Sequence, residues 1–127
     1  MKSLILSTLI AVLAVIATAC GPNRADQAQA LLLQSIEWSD GAPPEGSREA
    51  ALKYAEQKGF KPSTDGNGLS EREVIMAAGR ELCKQILTEY PNSPAAVKAA
   101  ELRANINSKL TVIANQRIQS LFRDPNE

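Results

Sequence analysis

The sequence predicts an all-α fold, a small antiparallel bundle of about four helices placed after an amino-terminal signal helix. Three observations predict it. Apolar residues recur at three- and four-residue spacing in four separate stretches, the period of a helix that buries one face. The chain is rich in Ala, Leu, Glu, Gln, Lys and Arg and poor in β-branched and aromatic residues, with one Trp, two Tyr and two Phe in all, a balance that favours helix over sheet. Capping residues, prolines and glycines separate the stretches where helices start and stop.

The first stretch, Met1 to Gly21, reads as an export signal. One charged residue, Lys2, precedes an uncharged run rich in Leu, Ile, Val and Ala from Leu4 to Ala17, which closes on Ala17-Thr18-Ala19 just before Cys20. That order resembles the bacterial lipobox, although Ala17 stands where leucine is commonest. The resemblance implies a lipoprotein signal peptide over residues 1–19, a diacylglyceryl thioether and palmitate-class acylation at Cys20, and a helical periplasmic domain over residues 20–127. For a Gram-negative source, Gly21 rather than an aspartate after the cysteine implies, by the same resemblance, the outer membrane. Each buried acyl methylene contributes about 0.8 kcal/mol. The lipid on Cys20 is therefore the expected membrane contact, and the remaining residues need no membrane-binding face of their own.

Composition excludes several functions. Setting aside residues 1–19 removes one basic residue, Lys2, and leaves 13 basic against 14 acidic residues over 108 positions, a formal net charge of −1. Nucleic-acid binding calls for a concentrated basic excess, so no nucleic-acid partner is expected. With Cys20 lipidated, Cys83 stands alone and forms no internal disulfide; its place in an apolar helical pattern points to burial. The chain has no histidine, no glycine-rich phosphate loop and no carboxylate pair in a setting that would tune its pKa values, so no enzyme, cofactor or metal is expected. The loop Asp65-Gly66-Asn67-Gly68 looks superficially like a calcium loop but lacks the spaced acids and closing glutamate.

The elements follow in order. Asn23 is positioned to cap a first helix running from Arg24 to Trp38, with Ala28, Leu31, Leu32, Ser35 and Trp38 along its buried stripe and Leu33 and Ile36 widening it. Residues 39–46, SDGAPPEG, form a loop. A second helix is expected from Ser47, its cap, to about Lys58, burying Ala51, Leu52, Tyr54 and Ala55. Gly59 offers a left-handed stop, and Phe60 sits where the Schellman motif folds an apolar residue back on the last turn. The third helix has the clearest start: Ser70 and Glu73 are spaced as a capping box, and Leu69 and Val74 as its hydrophobic staple. From Val74 to Tyr90 an apolar face runs about five turns before Pro91. Ser93 then caps a fourth helix with Pro94 at its first position.

Gly79, Cys83 and Pro91 keep the spacing of the A-x3-F…P part of the tetratricopeptide pattern, and Pro125 lies 34 residues after Pro91, one repeat length. The string GRELCKQILTEYPNSPAAVKAA resembles repeats of tetratricopeptide lipoproteins and periplasmic proteins of cell-envelope assembly. The resemblance spans Ser70 to Pro125 and implies a degenerate pair of helical hairpins, with small side chains at Gly79, Ala96, Ala99 and Ala100 permitting close packing. It also implies a surface that takes peptides or partner proteins. The Trp, Leu, Gly and Tyr positions of the pattern are not matched. An unrelated helical bundle using the same Tyr-Pro-Asn-Ser-Pro turn fits as well, and both readings pair helices three and four antiparallel across that short turn.

The segment Pro94 to Phe122 reads either as one helix, with Val97, Ala100, Leu102, Ile106, Leu110, Ile113, Ile118 and Leu121 near its inner side, or as two helices broken at Asn105 to Ser108. The unbroken form is favoured. Its end must overhang helix three, which makes Ile113, Ile118, Leu121 and Phe122 the candidate partner-binding residues. Glu71-Arg72-Glu73 and Lys98-Glu101-Arg103 read as solvated helix faces. The expected function is a lipid-anchored envelope lipoprotein acting as a protein-binding or scaffolding accessory on the periplasmic side. The alternative is a small structural or lysis-type envelope lipoprotein that acts on the membrane without a specific protein partner.

Overall fold

The computed structural model describes residues 22–122. The signal segment 1–19, the lipidation position Cys20, Gly21 and the tail 123–127 lie outside the described residues. Four helices follow one another, α1 (Pro22–Trp38), α2 (Glu45–Gln57), α3 (Glu71–Glu89) and α4 (Pro94–Leu121), and no strand occurs among the described residues. The protein is all-α.

Local signals explain most of the helix ends. Ser70 accepts from the Glu73 amide at 3.2 Å, the Glu73 carboxylate accepts from the Ser70 amide at 3.0 Å, and the capping box is complete. Leu69 and Val74 join the same apolar cluster, as a staple requires. After α2, Phe60 N–H donates to the Ala55 carbonyl at 2.9 Å and Gly59 N–H to that of Glu56 at 3.1 Å, with Gly59 at φ 93, which is the Schellman pattern.

Two starts and one cap bond differ from the sequence reading. The chain is already helical at Asn23, because Pro22 pre-sets the backbone for a first helical position. α2 starts at Glu45 after Pro44, not at Ser47; the Ser47 hydroxyl instead accepts the Trp38 indole N–H at 2.8 Å. Ser93 has the extended backbone of an N-cap and Pro94 follows it, but no side-chain cap bond forms, since its hydroxyl donates to the Tyr90 carbonyl at 2.7 Å.

α3 is the axis of the bundle. α1 runs antiparallel to it: in α1's first turn Arg24 donates to the Glu89 carbonyl at 2.6 Å, and Gln27 accepts from the Tyr90 hydroxyl at 3.0 Å. Beyond the other end of α1, the Asp40 carbonyl accepts from Arg72 at 3.0 Å, beside the start of α3. α4 returns antiparallel along α3, so α1 and α4 begin at the same end of the molecule. At the crossing, a Cβ on Gly79 would stand 3.2 Å from the Ser35 carbonyl oxygen, 3.3 Å from Trp38 Cβ and 3.5 Å from Ile106 Cδ1. A side chain there would force its neighbours apart by a few tenths of an ångström, so glycine lets the three helices meet closely. α2 is held on α3 by the paired Arg48–Glu71 bonds of 2.5 and 2.7 Å and by Tyr54 donating to Gln85 at 2.9 Å.

The core has two parts along α3. One gathers Trp38, Ala51, Ala55, Val74, Ile75, Ala78 and Leu82, with the Trp38 and Tyr54 rings 5.9 Å apart. The other gathers Ala28, Leu32, Cys83, Ile86, Ala95, Ala96 and Ala99. Ala28, Leu32, Ser35 and Trp38 are buried as expected, but Leu33 and Ile36 face solvent at 58% and 49% exposure and do not widen the stripe. α1 contacts α3 and α4 along one side only, so a broad apolar face has nothing to cover it.

α4 is unbroken over 28 residues. Asn105 to Ser108 do not interrupt it, because Ile106 between them is fully buried and pins that turn to the bundle. Its inner face is made by Ala95, Ala96, Ala99 and Ile106. Val97 and Ala100, expected near that side, are exposed.

Candidate protein-interaction surface

The second half of α4 leans over the start of α3 and forms one wall of an open cleft of about 370 Å³. Phe60 and Leu69, brought there by the stop of α2 and the staple of α3, form the opposite wall, with Ala77 between them and Leu110, Thr111 and Ala114 on α4. Four polar side chains rim it: Glu73, Arg80, Asn107 and Arg117.

Glu73 is the electrostatic centre of this cleft. Its residue is 2% exposed, although the sequence reading placed Glu71-Arg72-Glu73 on a solvated face. The capping box turns its carboxylate inward, where it also accepts from the Arg117 guanidinium. Burial pushes the Glu73 pKa up, but the Ser70 amide and Arg117 outweigh it and hold the carboxyl below its usual range. Two positions 44 residues apart in the sequence are thereby joined. Glu71 is likewise not a free surface charge, since it pairs with Arg48. Arg80 lies 5.5 Å from the Phe60 ring centre, pairs with Glu81 at 3.6 Å and reaches Asn107 at 3.5 Å.

Beyond Arg117, α4 passes the start of α3 and its side chains lose their neighbours. Ile118, Leu121 and Phe122 are 50%, 75% and 83% exposed. Three of the four candidate residues therefore share one free apolar end. Ile113 does not join them, because it lies on the side turned toward the bundle and is half-buried. The cleft itself was not legible in sequence, as it is built from a loop residue, a staple and a salt bridge that are far apart along the chain.

At the opposite end, Arg24, Ala25 and the Tyr90 to Pro94 turn line a second depression of about 260 Å³. Arg24 stacks 4.9 Å from the Tyr90 ring centre and closes part of it. Cys83 is fully buried. Burial pushes its thiol pKa up, against the opposing influence of Ser35 and Arg103, so the thiol form is favoured. The Asp65 loop satisfies its own carboxylate, which accepts from Ser63 at 2.5 Å and from the Asn67 amide at 2.9 Å. Among the described residues no three His, Cys, Asp or Glu side chains gather as metal ligands, and no helix is long and apolar enough to cross a membrane.

Comparisons with protein-family models, with curated proteins and with solved structures return no match for the chain. What the surface offers is a helical bundle with a charged, partly enclosed cleft and an apolar helix end beside it.

Proposed function

We propose that the chain is a lipid-anchored envelope lipoprotein that acts as a protein-binding or scaffolding accessory on the periplasmic side of the outer membrane. The observation that supports this reading is the polarity of the bundle. α1 begins at Pro22, two residues after Cys20, and α4 begins at the same end. α4 then extends 28 residues, about 42 Å at 1.5 Å per residue. Its exposed Ile118, Leu121 and Phe122 thus stand at the end far from an acylated Cys20.

An apolar patch that far from a bilayer is poorly placed to enter it and well placed to meet a protein. The alternative, a lysis-type lipoprotein acting on the membrane alone, draws no support from such a distal patch. Confinement to a surface through the Cys20 lipid raises the local concentration of the bundle for an envelope partner. The Tyr-Pro-Asn-Ser-Pro hairpin, similar to those of tetratricopeptide envelope proteins, is consistent with the same role.

The test is affinity capture from detergent extracts of cells expressing wild type, Ile118→Asp, Leu121→Asp and Cys20→Ser. The aspartate variants are expected to stay acylated and lose the captured partner. Cys20→Ser is expected to lose acylation, shown by loss of radiolabelled palmitate. Partners unchanged by Ile118→Asp and Leu121→Asp would overturn the binding surface.

A further inference from the structure

The sequence sets an aspartate or asparagine directly before glycine at Asp40-Gly41, Asp65-Gly66 and Asn67-Gly68. In such a pair the glycine nitrogen can reach the side-chain carbonyl carbon, because no Cβ obstructs the approach. The reaction needs an exposed pair, an uncharged carbonyl group and a glycine amide free of other bonds. The fold separates the three pairs by these conditions.

Gly41 is buried, and its amide donates to the Trp38 carbonyl at 3.0 Å. Asp40 accepts from Lys109 at 2.7 Å, which holds its carboxyl below the usual range and keeps it ionised. The Asp65 carboxyl is kept ionised in the same way by the Ser63 hydroxyl at 2.5 Å and the Asn67 amide at 2.9 Å. A carboxylate is a poor electrophile, so both aspartates are protected. Asn67 and Gly68, by contrast, are both exposed, the Asn67 side chain is a neutral amide, and the Gly68 amide donates to no acceptor among the described residues. Other asparagines lack this freedom. Asn92 precedes Ser93, whose amide donates to the Tyr90 carbonyl at 3.1 Å. Asn105, Asn107 and Asn115 lie inside α4, where the next amide is bound along the helix.

We infer that Asn67-Gly68 is a site of spontaneous deamidation, at which the chain modifies its own backbone. The Gly68 nitrogen gives up its proton and attacks Asn67 Cγ. The N–Cγ bond forms, and the Cγ–Nδ2 bond breaks with release of ammonia, which carries that proton away. The resulting succinimide takes up water at either carbonyl. Opening at the Asn67 main-chain carbonyl leaves isoaspartate, with an extra methylene in the backbone, and opening at Cγ leaves aspartate. Water enters, ammonia leaves, and nothing is oxidised or reduced. The reaction depends on no partner and no anchor.

Both products place a second carboxylate beside Asp65. Isoaspartate also lengthens the chain inside the turn that the Ser63 amide closes on the Leu69 carbonyl at 2.8 Å. Leu69 is a wall of the cleft, so the change loosens that wall from outside it.

The test ages purified full-length protein at neutral pH, folded and in urea, and maps the products by peptide mass spectrometry and isoaspartyl methyltransferase labelling. In folded protein the mass gain of amide-to-acid exchange is expected first at Asn67, severalfold faster than at Asn92 or Asn107, with isoaspartate the major product. Asn67→Gln is expected to lose both signals. Urea should speed Asn92 and Asn107 severalfold by freeing the amides that follow them, and leave the Asn67 rate nearly unchanged. An Asn67 that converts only after unfolding, or no faster than Asn92 in folded protein, would overturn the inference. Aged wild type is further expected to exchange the Ser63 amide with deuterium faster than aged Asn67→Gln. Equal rates would overturn the effect on the Leu69 wall.

Discussion

α3 and α4 are neighbours in sequence and in space, yet α3 buries ten of its 19 residues and α4 only four of its 28. The difference does not come from apolar content. α3 is flanked by α1, α2 and α4, so from Glu73 to Gly79 every residue is buried. α4 touches α3 on one side and part of α1 on another, and attaches largely by alanines and Ile106. Burial is set by how many elements surround a helix, and a helix with few neighbours keeps apolar side chains available for others.

The comparison breaks most sharply where α1 and α2 close over α3. Trp38 is 2% exposed, gives its indole N–H to Ser47, and packs on Tyr54 and the Val74 to Leu82 face. Trp38→Ala removes the largest buried side chain and leaves the Ser47 hydroxyl without its donor. It is expected to cost about 3–5 kcal/mol, read as a lowered urea midpoint in equilibrium unfolding. A loss below about 1 kcal/mol would mean that α3 does not depend on its covering helices.

The next effect lies where α3 holds α4. Glu73→Gln keeps the shape but removes the charge that accepts from Ser70 and Arg117, and is expected to cost about 1–3 kcal/mol at pH 7. Because the folded carboxyl titrates below its ordinary value of 4.5, its contribution is full above that value and is lost as the pH falls through the folded pKa. Asp40, Asp65 and Glu71 also have lowered pKa values. The informative quantity is therefore the stability difference between wild type and Glu73→Gln, which should shrink from pH 7 towards pH 3. A difference that stays constant with pH would remove the ion pair from the account of how α4 is held.

The helix ends show what sequence reading can reach. The capping box, the staple, the Schellman stop and the short α3–α4 turn were all legible, because each is a device of fewer than about eight residues. Which side of α4 faces inward was not, because apolar residues lie all round it and only packing against α3 selects Ile106 over Val97. Glu73 shows the boundary within one residue. Its bond to the Ser70 amide follows from a three-residue spacing, whereas its bond to Arg117 depends on how far α4 runs back along α3. The cleft depends on that same return path, so its residues could be named one by one but not assembled.

The smallest expected effect sharpens the contrast within α4 itself. Ile106 is fully buried against Gly79 and Val97 is 66% exposed, although both are branched apolar residues on one continuous helix. Ile106→Ala is expected to cost about 2–4 kcal/mol, whereas Val97→Ser should stay within about 0.5 kcal/mol. Both are to be measured by thermal unfolding at low protein concentration, where association through α4 does not add to the apparent stability. If Val97→Ser becomes destabilising only as concentration rises, the lost stability belongs to an interface between chains. If it is as costly as Ile106→Ala even when dilute, the outer face of α4 is covered within one chain, and the difference between α3 and α4 disappears.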